Sequence, residues 1–107
     1  MELAFDSKEV RRLCEDKSYA EAMLGPIVAE SLRDRLADLL AVDHIFDLPI
    51  GKPTAVQNSV SSGYQITLAD QHYLLVGCNP VRPPKAADGS IDWNRVRKLL
   101  VIQVEKR

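Results

Sequence analysis

His72 and Tyr73 stand side by side, and Glu105, Lys106 and Arg107 follow one another at the end of an apolar run. These types suit acid–base work on a charged substrate. A carboxylate accepts a proton, histidine titrates near neutral pH, and a tyrosine hydroxyl donates to a phosphate while its ring stacks on a base. Lysine and arginine hold phosphate well but are poor proton acceptors near neutral pH. The plainer readings are a turn-flanking histidine, a packing tyrosine and a solvated charged end. Further cations stand at Lys52, Arg82, Lys85, Arg95 and Arg97. Each is either a ligand for an anion or a solvated surface charge.

Charge is unevenly distributed. Residues 1–51 hold six Lys/Arg against eleven Asp/Glu, a net −5, and residues 52–107 hold eight against four, a net +4. An anion-binding surface is therefore expected from the C-terminal half. Cys14 and Cys78 show no CxxC spacing and no neighbouring histidine pair, so the expectation is buried free thiols, with no metal site and no cofactor. No glycine-rich phosphate loop or nucleophile elbow supports a small-molecule enzyme.

The elements that must position these residues are legible from patterning. The 107 residues allow one domain with one modest core. Met1 to Phe5 reads as an edge strand. Asp6 with Glu9 makes a capping box for a first helix ending near Asp16, and Ser18 with Glu21 makes a second. Gly25-Pro26 interrupts that second helix, and Pro26 suits the first turn of a new one. There Ile27, Val28, Leu32, Leu36, Leu39 and Leu40 form an apolar stripe, with Glu30, Arg33, Asp34, Arg35 and Asp38 on the other face. His44 follows as a helix-end or surface residue.

Lys52 to Gly63 reads as a loop, uncharged after Lys52. Tyr64 to Leu68 and His72 to Val76 form an antiparallel hairpin, Asn79 to Gly89 a Pro-rich connection, and Leu99 to Val104 a final strand lying centrally in the sheet. Trp93 has no aromatic neighbour in sequence and reads as a core plug. The fold class is α+β: an N-terminal strand and helices packed on one face of a small, mainly antiparallel sheet. No apolar run approaches the roughly 20 residues that span a bilayer, and the first residues lack a basic region followed by an apolar one. The cytoplasm is the expected location, with no membrane partner.

The layout, the Leu32 to Leu40 helix, the hairpin around Tyr73 and above all the Asp88-Gly89-Ser90-Ile91-Asp92-Trp93-Asn94-Arg95-Val96 segment resemble the HigB-type branch of the RelE/ParE toxin superfamily. The resemblance covers nearly the whole chain. It implies a RelE/ParE-like domain spanning 1–107, the toxin of a bacterial type II toxin–antitoxin pair. Such a toxin is usually a metal-independent endoribonuclease that cuts messenger RNA on the ribosome and is silenced by a cognate antitoxin. Carried onto this sequence, Glu105, Lys106, Arg107, Tyr73 and His72 become the catalytic candidates, and Lys52, Arg82, Lys85, Arg95 and Arg97 the RNA-binding ones. Relatives place a histidine and basic residues in the loop where Pro53 to Gly63 carries no charge, and an arginine in the hairpin where His72-Tyr73-Leu74-Leu75 has none. Those departures admit a second class of function: a non-catalytic protein of the same fold that binds a target such as gyrase, or only its antitoxin.

Overall fold

The computed structural model describes residues 1–57, 62–78 and 83–106. It opens with β1 (Glu2–Phe5), followed by three helices, α1 (Lys8–Glu15), α2 (Lys17–Leu24) and α3 (Pro26–Ala41). A single 3-10 turn (Ile45–Asp47) precedes β2 (Thr54–Gln57), β3 (Ser62–Thr67) and β4 (His72–Cys78). A second 3-10 turn (Trp93–Arg95) leads into β5 (Lys98–Lys106). The sheet order is β1-β5-β4-β3-β2, with β1 parallel to β5 and the other three pairings antiparallel. This is an α+β fold with a mixed five-stranded sheet.

The helix starts differ from the capping boxes expected. Asp6 still donates its backbone amide to Val101 at 3.0 Å, extending the β1–β5 ladder, so the cap falls to Ser7, whose Oγ accepts from the Val10 amide. Asp16 is the only residue between α1 and α2. It closes the first, and its carboxylate, rather than Ser18, accepts from the Tyr19 amide to open the second. Gly25-Pro26 separates α2 from α3 as expected, with Pro26 at the first position of α3.

One face of the sheet carries the core. Val28, Ala29, Leu32, Leu36 and Leu39 of α3 are buried, and Val10, Leu32, Leu36 and Leu39 meet Ile66, Leu74, Val76, Leu99 and Val101 in one cluster. Among the described residues no polar side chain is fully buried. Ile27 and Leu40, expected in the apolar stripe, are exposed instead. Ile27 is rotated about 100° from Val28, and Leu40 sits at the stripe's edge in the last turn. The Met1 amino group donates to the Leu39, Leu40 and Val42 carbonyls at 2.7–3.2 Å, satisfying the C-terminus of α3 and complementing its dipole.

Three further expectations change. The 52–63 stretch is not all loop: Thr54–Gln57 forms the edge strand β2, paired with Ser62 to Gln65. Its own residues show no alternation, and the pairing comes from β3. Glu105 and Lys106 belong to β5 rather than to a tail beyond it. Trp93, half-buried against the core, does have an aromatic partner: its ring meets Tyr64 edge-on at 4.9 Å, and Tyr64 meets Phe46 at 5.5 Å. Both cysteines are free and half-buried.

Two stability outcomes follow from this packing. A Cβ at Gly63 would run into the Val76 carbonyl oxygen, which the β3–β4 ladder holds in place. Gly63→Ala should lower unfolding free energy by about 2 kcal/mol, read as a drop in the denaturant midpoint. Burial, with the Glu15 carboxylate adding to it, pushes the Cys14 thiol up to about 12 from 9.0. The unfolded chain therefore ionises first, and the contribution of Cys14 is whole below about pH 9 and lost as pH rises towards about 12. The denaturant midpoint should fall more steeply as pH rises from about 9 towards about 12 for the native chain than for Cys14→Ala; equal slopes would contradict this.

Candidate functional site

Strand register brings four of the sequence candidates together. In the β4–β5 pair His72 stands opposite Lys106 and Tyr73 opposite Glu105. Directly opposed residues share a face and lie close enough for side-chain contact. Leu74 and Val76 point into the core, so alternation puts His72 and Lys106 on the helix side and Tyr73 and Glu105 on the open side. The end of the sheet thus carries one pair on each face.

The turn before β4 explains the position of His72. Asp70 and Gln71 both have positive φ, 51° and 59°, as a tight hairpin turn requires, and the His72 amide returns to the Ala69 carbonyl at 3.1 Å. The His72 ring is held locally: Nδ1 lies 2.9 Å from the Asp70 carbonyl oxygen. A carbonyl only accepts, so Nδ1 carries the proton and Nε2 is the acceptor of the neutral ring. Within β5, Gln103 Nε2 donates to Glu105 Oε1, orienting the carboxylate on the open face.

Lys52 joins the same end. The Gly51 carbonyl accepts from the Thr67 amide at 2.9 Å, and Thr67 is the register partner of Tyr73. The remaining cations do not. Arg95 donates through Nη2 to the Lys85 carbonyl at 2.6 Å and pairs through Nε with Asp92 at 2.9 Å. Arg97 donates to the Asn94 carbonyl at 2.7 Å. Both precede Lys98, the start of β5, and a strand rise of about 3.3 Å per residue puts that point about 26 Å from Lys106. Lys85 pairs with Ile91 in an isolated bridge and lines a cavity of about 640 Å³ with Gly77, Cys78, Leu100 and Ile102, also away from Glu105. Burial raises the Cys78 thiol above its ordinary range, and the Lys85 ammonium partly offsets this. Arg82 and Arg107 lie outside the described residues.

The Asp88 to Val96 segment is a structural lock. The Asp88 carboxylate accepts from the Ser90 hydroxyl and amide at 2.6 and 3.0 Å, which hold its pKa below the usual carboxylate range. Asp92 caps the Trp93–Arg95 turn, and Val96 is buried. No cluster of three or more His, Cys, Asp or Glu side chains placed to hold a metal occurs among the described residues, and no described helix is long and apolar enough to cross a membrane.

Reading the sequence missed Arg35. Its place in the α3 pattern puts it on the water-facing side, yet its side chain is only 13% exposed and lines a cavity with Lys52. The two stand seventeen residues apart in the sequence, and no local signal announces their meeting. Set against known proteins, the chain matches no family model, no curated protein and no solved structure.

Proposed function

We propose that this chain is a RelE/ParE-like toxin of the HigB branch, a metal-independent endoribonuclease that cuts messenger RNA on the ribosome and is neutralised by a cognate antitoxin. The observation that carries the reading is the register that sets Tyr73 against Glu105 and His72 against Lys106 at one end of the sheet. In this reading Glu105 accepts the proton of a ribose 2′-hydroxyl. The freed oxygen attacks the adjacent phosphorus, a 2′,3′-cyclic phosphate forms, and the bond to the 5′ oxygen breaks. Tyr73, which shares the open face with Glu105, returns a proton to that leaving oxygen, while His72, Lys106 and Lys52, on the helix side of the same sheet end, hold the RNA backbone.

A second reading has its own support. Arg95 and Arg97, expected to hold RNA, donate to backbone carbonyls at the far end of β5. That arrangement favours a protein of this type that acts by binding a target rather than by cutting RNA.

Induction of the chain alone in bacteria, with growth followed and new 5′ ends of messenger RNA mapped, separates the two. The nuclease should arrest growth and produce cuts in phase with the ribosome. Glu105→Gln and Tyr73→Phe should each reduce cutting by about 100-fold while leaving the circular dichroism spectrum unchanged. Arrest without cuts would replace the nuclease by target binding, and the absence of arrest would sink the toxin assignment.

A further inference from the structure

We propose that Arg35 and Lys52 form a subsite for a phosphate-type oxyanion in the cavity between α3 and the β3–β4 turn; resting on the nuclease reading, the oxyanion is a backbone phosphate of bound RNA. The cavity, about 410 Å³, is lined by Ser31, Arg35, Gly51, Lys52, Leu68 and Ala69 among others, a size ordinary for a small-ligand site. It borders the turn that delivers His72 and Tyr73, since the Leu68 amide donates to the His72 carbonyl and the His72 amide to Ala69.

Arg35 is half committed. Its Nη2 pairs with Asp38 at 3.2 Å, while its buried Nε has no hydrogen-bond partner among the described residues. A guanidinium offers a planar fork of donors matched to two oxygens of one oxyanion, and a donor so deeply placed is costly to leave unsatisfied. Gly51 keeps space over that fork. At φ 93° a Cβ there would lie 2.8 Å from Ile66 Cγ2 and 3.0 Å from Arg35 Cδ, the atom bonded to Nε. Lys52 follows at φ 22°, an uncommon conformation for lysine, and its ammonium has no ion pair among the described residues.

The walls are fixed and largely apolar. Ser31 Oγ donates to the Val28 carbonyl at 2.8 Å and accepts from the Ala69 amide at 3.1 Å, which ties α3 to the turn. Ile50, Leu68 and Ala69 complete an apolar surround, in which a charge-assisted hydrogen bond gains strength. Asp38, paired with Arg35, is the carboxylate an incoming oxyanion must compete with. Two cations, Arg35 from the acidic half of the chain and Lys52 from the basic half, against one carboxylate leave the site net positive.

The test follows the Arg35 Nε–H resonance of the full ¹⁵N-labelled chain during titration with inorganic phosphate, then with a short single-stranded RNA carrying 2′-O-methyl groups. Both probes should move it. Arg35→Gln should weaken phosphate binding roughly tenfold and Asp38→Asn should tighten it about threefold, opposite signs that damage to the fold would not produce. An Arg35 resonance unmoved by phosphate overturns the subsite. Movement by phosphate but not by RNA removes RNA as the source of the oxyanion. Movement by both phosphate and RNA, in a chain that yields no cuts on induction, leaves the subsite standing and the nuclease reading fallen.

Discussion

The two-sided pairing of β5 is the constraint on which the rest of the molecule depends. β5 is hydrogen-bonded to β1 on one edge and β4 on the other, so its register aligns the N-terminal strand and the hairpin at once. Leu99 and Val101 are fully buried beneath the helices, and a one-residue slip would turn both to the open face and expose them. The same slip would separate Tyr73 from Glu105. A bulge between Leu75 and Val76 shifts the pairing within β4, so the ladder near Cys78 and the ladder near His72 run in different registers. Core and candidate site are thus set by one strand.

The approach to β5 is held with corresponding firmness. Asp88 closes a turn on Ser90, Asp92 caps the turn that carries Trp93, and Arg95 reaches back to the Lys85 carbonyl. Trp93 then extends an edge-on aromatic series through Tyr64, Phe46 and His44, linking the segment before β5 to the segment after α3. These contacts explain why the segment with the most distinctive sequence contributes geometry rather than reacting groups. Its one arginine, Arg95, and Arg97 just after it bind the backbone of their own chain.

Charge distribution has a related lesson. The C-terminal half is net positive, yet Arg95 and Arg97 are committed to carbonyls, while a deeply placed guanidinium beside Lys52 comes from Arg35 in the acidic half. Net charge counts cations without regard to what they bond, and the fold decides which remain available to a ligand.

Sequence by itself determined what depends on neighbours along the chain: the Gly25-Pro26 break, the buried stripe of α3, the hairpin around Asp70-Gln71, the apolar run of β5 and the α+β class. It erred at Asp6 and Ser18, where capping patterns were present but the β1–β5 ladder and the single-residue gap at Asp16 moved the caps. Tertiary structure alone decided the pairings between distant residues. It made an edge strand of Thr54–Gln57, met Trp93 with Tyr64, opposed Tyr73 to Glu105 and brought Arg35 to Lys52. Periodicity records which way a residue faces within its own element. Which residue of another element it meets depends on register and packing, and these exist only once the sheet has formed.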